Sequence, residues 1–307
     1  MNTNTTLLGI AIPTYNRSEM LLNLVSTIPD SYEVYVSDNG GFTDVGRFGG
    51  RPNIVIDKTE TVIPVFGNWN RAIAGVRSPY VAIPSDDDLY LENAITEIGQ
   101  EIRQNPDVDV FIFGHHHIDE HNRVMSSWVP AGRRKFDPPF GFNVFKFGVE
   151  ARMPCIVFRK SLLNRIGCFD ETFKITAGDS DLVQRALIFG TSLFVPKVMA
   201  CYRIWSGGST SQTISSEAWL PEIDYWTRKI AVAAVPEFRR VQATFDQEQY
   251  VDEIYARNLM AGADNKMKTD GGKSARKYIF GNRFPSHSML LTKMKLLKLI
   301  IRSFTYC

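Results

Sequence analysis

The sequence is poor in cysteine: four in 307 residues, at Cys155, Cys168, Cys201 and Cys307, with no CxxC spacing and no pairing pattern. That argues against a disulfide framework or a cysteine-based zinc site and predicts free thiols in a reducing compartment. Long apolar runs are missing too. Leu7 to Ile12 is too short for a bilayer span or a secretory core, and the N-terminus lacks the basic start of a signal peptide, so the expected location is cytoplasmic. Charge of one sign is not in excess either. The 35 basic and 33 acidic residues leave a formal +2, which gives no reason to expect a nucleic-acid partner. What is present is an ordinary globular composition, 44% hydrophobic and 22% charged, long enough for one large domain with an appendage.

The most informative stretch is Pro84-Ser85-Asp86-Asp87-Asp88-Leu89. Its three carboxylates follow Tyr80-Val81-Ala82-Ile83, an apolar run that reads as a buried strand, so they emerge together where that strand ends. Two carboxylates about 5 Å apart, at an effective dielectric near 20, repel by roughly 3 kcal/mol. A hard divalent cation carrying phosphate ligands would relieve that repulsion. An acidic turn is the plain alternative.

Other polar clusters also follow strands. Leu7 to Ile12 reads as a first strand, and Leu21, Leu24, Val25 and Ile28 then recur at helical spacing, with Ser18 as the expected N-cap. Thr14-Tyr15-Asn16-Arg17 falls in the loop between them. Tyr32 to Val36 leads into Ser37-Asp38-Asn39-Gly40-Gly41, Asn53 to Ile56 forms a third strand, and Gly67 to Gly75, including Asn70, enters a short helix. Ligands of parallel sheets bind outside the carboxyl ends of strands. Thr14 to Arg17, Asp38 and Asp86 to Asp88 are thus expected on one rim, against the alternative of three unrelated surface loops.

Leu91, Ile95, Ile98 and Ile102 form a helical stripe, and Val108 to Phe113 a strand that runs into His115-His116-His117 and, four residues on, His121. Adjacent strand residues point to opposite faces, so at most His115 and His117 share a side. Residues 126–150 read as a long loop over the rim, with Trp128, Phe136 and Phe140 as an acceptor wall or as core aromatics. In Thr176-Ala177-Gly178-Asp179-Ser180-Asp181-Leu182 the helical face of Leu182, Val183, Ala186 and Leu187 puts Asp179 at a helix start. It is either an N-cap or a base that takes a proton from an attacking hydroxyl.

Taken in order, these segments resemble the family 2 glycosyltransferases of bacterial surface-polysaccharide type. The motifs that carry the resemblance run from about Leu7 to Ser211: Ile12-Pro13-Thr14-Tyr15-Asn16-Arg17, Val36-Ser37-Asp38-Asn39-Gly40, Asn70-Arg71-Ala72, Ser85-Asp86-Asp87-Asp88, Ala177-Gly178-Asp179-Ser180-Asp181-Leu182, and Tyr202-Arg203 with Ser209 and Ser211. The resemblance implies an α/β fold of GT-A type, a mixed, mostly parallel sheet flanked by helices. Its domain would cover 1–213, with a nucleotide-binding half over about 1–105, an acceptor half over about 106–213, and a helical extension from 214 to 307. It also implies an inverting hexosyltransferase-like enzyme that uses a nucleotide sugar, UDP-linked by expectation, and Mn2+ or Mg2+. Pro13, Thr14, Tyr15, Arg17, Asp38, Asn70 and Asp86 would then bind the nucleotide. Asp87, assisted by Asp88, would hold the metal, and Asp179 would be the catalytic base with Asp181 as fallback. Arg203, Trp205 and Ser209, with Asp181, would touch acceptor or phosphate, the acceptor being a glycan or lipid-linked oligosaccharide.

The chain departs from the family pattern at Trp205. A histidine that could ligate metal is replaced there by an indole that cannot. Two other readings stay open: a nucleotide-sugar or glycan binding module without turnover, and a nucleotidyltransferase. The second is weakened because no Gly-rich phosphate loop with an associated lysine is present.

From Ser215 on the pattern is helical, over Trp219 to Val235 and Glu248 to Met260, with a polar break from Asp264 to Gly272. Between Lys266 and Arg302 there are ten Lys or Arg and one acid, Asp270. Leu290, Met294, Leu297, Ile300, Ile301 and Phe304 share a helical face, Lys295, Lys298 and Arg302 another, and Lys293 interrupts the apolar side. Such a helix suits peripheral attachment to an anionic membrane surface, or docking on its own domain or a second subunit.

Overall fold

The computed structural model describes residues 6–204 and 214–306. Trp205, Ser209 and Ser211 lie outside the described residues. The chain divides into two units. The first comprises the described residues within Met1–Val144, Val149–Lys174 and Arg185–Trp205, and the second comprises Phe145–Gly148, Ile175–Gln184 and the helices from 219 onward.

The first unit is built on one mixed sheet. Strand β1 (Leu8–Thr14) is buried along its whole length, as its unbroken apolar run requires of a central strand. It pairs in parallel with β2 (Glu33–Asp38) on one side and β4 (Tyr80–Ala82) on the other, and β2 pairs in parallel with β3 (Ile54–Lys58). Beyond β4 come β9 (Ile156–Arg159), β6 (Val110–Ile118), β10 (Ser192–Arg203) and β5 (Leu89–Tyr90). β6 and β10 run in the direction of β1, whereas β9 and β5 run against it. The order β3-β2-β1-β4-β9-β6-β10-β5 therefore gives a mixed sheet whose longer strands mostly share one direction.

The helices follow from apolar spacing. In α1 (Ser18–Ser26) Leu21, Leu24 and Val25 are buried, in α3 (Ala94–Gln104) Ile95, Ile98 and Ile102 are, and in α4 (Lys160–Ile166) Leu162 and Leu163 are. The expected cap of α1 is corrected: Ser18 is the first helical residue, and the cap position is Arg17, which makes no side-chain capping bond. α2 (Val65–Gly75) lies so close to β2 that a Cβ on Gly75 would fall 2.2 Å from the Tyr35 ring. Residues 126–150 are not one long loop. They contain the end of β7 (Val124–Trp128), then β8 (Arg134–Phe136) and a 3-10 turn at Phe140–Phe145. Short alternating strands at a sheet's end are hard to read from periodicity because few residues carry the signal.

The second unit contains α6 (Trp219–Arg240), α7 (Gln247–Phe280) and α8 (Leu290–Thr305). The expected polar break at Asp264 to Gly272 is corrected to a kink within α7, located at Gly271 with φ 83°. Glycine enters that left-handed region without a Cβ penalty. Next to it a Cβ on Gly272 would lie 2.0 Å from the Ser303 carbonyl, so α8 crosses α7 there at backbone distance. The buried Glu253 of α7 accepts from Met289 N–H (3.1 Å) and Thr292 Oγ1 (2.7 Å), placing a carboxylate at the positive end of α8. Arg283 donates to Asp224 of α6 and Asp252 of α7. Burial pushes the Asp252 carboxyl up, but hydrogen bonds from Arg283 and the His287 backbone, with the guanidinium charge, hold it below its ordinary value.

Candidate active site

Because β1, β2 and β4 are parallel, Thr14, Asp38 and the chain after Ala82 leave the sheet on one rim. Thr14 Oγ1 donates to Asp86 Oδ2 at 2.7 Å, and the Tyr15 N–H reaches the same oxygen at 3.4 Å. Arg17 Nη1 donates to Asp86 Oδ1 at 3.0 Å and to Asp87 Oδ2 at 3.4 Å. Thr14, Tyr15, Arg17, Asp86 and Asp87, read separately in the sequence, thus form one cluster. Burial pushes the Asp86 carboxyl up; the Arg17 charge and the Thr14 hydrogen bond oppose it, and the Asp87 charge adds to it.

Asp88 is turned away from this cluster. It is 1% exposed, Oδ2 accepts from Ser85 N–H at 2.8 Å, and Oδ1 has no hydrogen-bond partner among the described residues. Burial, then the charge of Asp87, raises its pKa well above the ordinary value, against the backbone N–H groups of Ser85 and Arg203. In this arrangement Asp88 is an interior group.

Asp38 is fully buried, and its two oxygens accept from Phe42 N–H (3.2 Å) and Thr43 N–H (2.7 Å), which fixes the turn through Gly40 and Gly41. That turn presents the Phe42 ring, 49% exposed, edge-on to the Tyr15 ring, 51% exposed, at 5.4 Å. Phe42 escaped the sequence reading because a lone aromatic after two glycines carries no periodic signal. Asn68 escaped it as well. It is buried under the rim, where it accepts from Ser37 Oγ at 2.7 Å and donates to the Ser37 carbonyl at 3.2 Å. A polar residue within the apolar stripe of α2 was the available clue. Asn70, by contrast, is committed elsewhere: its amide donates to the Phe169 carbonyl and Glu171, and its oxygen accepts from Phe169 N–H.

Arg203, at the end of β10, is 8% exposed and braces the carboxylate loop from behind. Its Nε donates to the Asp87 carbonyl (2.9 Å), Nη1 to the Asp119 carbonyl (2.7 Å) and Nη2 to Asn122 Oδ1 (2.7 Å). His115 and His117 do share a side of β6, with Nε2 atoms 3.1 Å apart. Burial, then the neighbouring His117, pulls His115 down to about 3, so it is a neutral ring at physiological pH. No group of three or more His, Cys, Asp or Glu that could hold a metal ion occurs among the described residues.

Asp179 and Asp181 belong to the second unit, in the first turn of α5 (Gly178–Phe189). Asp179 is the second helical residue and not the cap. The residue before the helix is Ala177, at φ 62°, and Asp179 Oδ1 accepts from Ser180 N–H at 2.7 Å. Its carboxylate stays exposed. Asp181 is fully buried and paired with Lys229 Nζ at 3.1 Å.

Residues 9–167, just over half of the chain, match the family model described as glycosyl transferase family 2. The chain belongs to the family 2 glycosyltransferases. It is therefore a glycosyltransferase that draws on a nucleotide-sugar donor. Solved structures share its fold at low identity. The S. aureus TarS 1-349 complex with UDP-GlcNAc is 18% identical with a TM-score of 0.61, over 89% of this chain and 78% of that one. TarS 1-349 by itself is 16% identical with a TM-score of 0.60, over 97% and 88%. The mannosyltransferase PcManGT from Pyrobaculum calidifontis, in complex with GDP-Man and Mn2+, is 14% identical with a TM-score of 0.53, over 99% and 87%. No curated protein is a significant match to the chain.

Proposed function

We propose that this glycosyltransferase is inverting and metal-dependent, and moves a sugar from a UDP-linked donor to a hydroxyl of a glycan or lipid-linked oligosaccharide during surface-polysaccharide synthesis. The observation that carries the reading is the convergence of Thr14, Tyr15, Arg17, Asp86 and Asp87 on the rim where parallel strands end. Tyr15 and Phe42 offer ring faces for the base, on a turn shaped by Asp38, with Pro13 bordering it. The Asp86–Asp87 pair fits a hard divalent cation, because oxygens from both carboxylates already converge on a single cationic nitrogen of Arg17. Asp87 would hold such an ion together with diphosphate oxygens; when bound, it supplies stabilisation of the departing nucleoside diphosphate. The UDP and UDP-GlcNAc of the TarS structures favour uridine, and the Mn2+ of the PcManGT complex favours a metal.

Asp179 is the proposed base. Its Oδ2 takes the proton of the acceptor hydroxyl as that oxygen attacks the anomeric carbon, and the bond from that carbon to the diphosphate oxygen breaks. One displacement inverts the centre. Calorimetric titration of UDP and GDP, with and without Mn2+, into wild type and Asp87→Ala tests the donor site. Manganese-dependent binding of one nucleotide, lost in the variant, is expected. Binding of neither nucleotide would overturn the UDP-linked, metal-dependent reading.

Membrane attachment through α8 is part of the same reading. Leu290, Leu291, Met294, Leu297, Ile301 and Phe304 are exposed on it, while Thr292, Leu296 and Ser303 are buried on the opposite side. Lys293 flanks the apolar face on one edge, and Lys295, Lys298 and Arg302 on the other, each cation contributing about 1 kcal/mol at an anionic surface. No helix among the described residues is long and apolar enough to cross a membrane. The protein should co-sediment with anionic vesicles at low salt and not with neutral ones, and Leu297→Asp with Ile301→Asp should abolish this. Indifference to anionic vesicles would remove the attachment.

A further inference from the structure

The position of Arg17 bears on how donor and metal bind. Its Nη1 lies 3.0 Å from Asp86 Oδ1 and 3.4 Å from Asp87 Oδ2, so one guanidinium already engages the pair that the metal reading assigns to a divalent ion. The two sides of this contact differ in exposure. Asp86 is held by Thr14 and the Tyr15 backbone, and the Asp87 main chain by Arg203, and their side chains are 3% and 12% exposed. The Arg17 side chain is 34% exposed and makes no capping bond to α1. The guanidinium is the most exposed of the three charged groups.

It also cannot shed its charge, since arginine stays protonated at any pH the protein tolerates. A divalent ion on Asp87 must therefore either displace the guanidinium or stand beside it as a like charge. A diphosphate changes that balance, because its oxygens are good bidentate partners for a guanidinium. We propose that Arg17 is an internal counter-cation: it competes with the divalent ion for the Asp86–Asp87 carboxylates until a nucleoside diphosphate draws it away onto phosphate. The inference rests on the metal-dependent reading and adds to it a built-in coupling, in which metal binds well only together with nucleotide. Linkage makes the effect reciprocal, each ligand tightening the other by one factor.

The test measures Mn2+ binding by the electron paramagnetic resonance signal of the free ion, and UDP binding by calorimetry, in wild type, Arg17→Gln and Arg17→Lys. In Arg17→Gln, Mn2+ binding without nucleotide is expected to tighten roughly tenfold or more, the scale of one charged hydrogen bond. UDP binding without metal should weaken, and the factor by which each ligand tightens the other should fall. Arg17→Lys keeps the charge, so its Mn2+ binding without nucleotide should stay near wild type, while its UDP binding should fall between wild type and Arg17→Gln because an ammonium lacks the bidentate fork. If Arg17→Gln binds Mn2+ alone no more tightly than wild type, while Mn2+ still promotes UDP binding, the counter-cation role is wrong and the metal reading stands. If Mn2+ has no effect on UDP binding in wild type, the metal reading fails and takes the inference with it. Arg17→Met is the second uncharged variant. Should both uncharged variants fail to fold while Arg17→Lys folds, the residue is a structural brace and the inference is overturned.

Discussion

Asp179→Asn is expected to lower kcat by about 10²–10⁴-fold, the contribution of a positioned general base, while leaving nucleoside diphosphate affinity unchanged. The amide keeps the shape of the side chain and can still accept from Ser180 N–H, but it cannot take a proton from an acceptor hydroxyl. Asp87→Ala should fail in the opposite way, through donor binding. The two variants therefore separate proton removal from donor and metal binding. Steady-state release of nucleoside diphosphate, with and without acceptor, reads the first, and calorimetry reads the second. Wild-type transfer by Asp179→Asn would end its role as base. The burden would not pass easily to Asp181, whose buried carboxylate is engaged by Lys229.

The largest expected loss of stability from a side chain near the rim is at Arg203. Its guanidinium donates to Asp87 O, Asp119 O and Asn122 Oδ1 from an almost closed position. Hydrogen bonds to charged groups contribute about 1.5–3 kcal/mol each, and acceptors left unpaired cost more than the bonds themselves. The three are not additive, so about 3 kcal/mol is the expected cost of Arg203→Met. At about 2–4 °C per kcal/mol for a unit of this size, the melting temperature should fall by about 6–12 °C. The loop carrying Asp87 would lose its brace, so manganese-dependent nucleotide binding should weaken in the folded protein too. Arg203→Lys should recover only part of both effects, because a single ammonium does not reproduce a three-way fork. A melting curve that overlays wild type would show the brace to be dispensable.

Arg203 also illustrates what local pattern conceals. Its place after an apolar strand was legible, but its partners at Asp87, Asp119 and Asn122 are 81 to 116 residues away in the chain. Periodicity carries no information about such pairings. Asp88 is a similar case. Its sequence neighbours suggested a third carboxylate at the rim, and the turn between β4 and β5 directs it inward, where burial raises its pKa well above the ordinary value. Asn70 sits in a motif read as nucleotide-binding and is spent on the backbone at Phe169.

The sequence by itself determined the element types over most of the first 120 residues, the strand ends at which Thr14, Asp38 and Asp86 emerge, and the family. It could do so because buried strands and amphipathic helices are written in local apolar spacing, and because parallel strands carry their ends to one rim. The tertiary structure alone decided which of the emerging groups meet. It put Arg17 between Asp86 and Asp87, turned Asp88 inward, and made a kink at Gly271 out of an expected break. Those outcomes depend on side-chain reach, desolvation and backbone contacts between distant segments, quantities that exist only once the chain has packed.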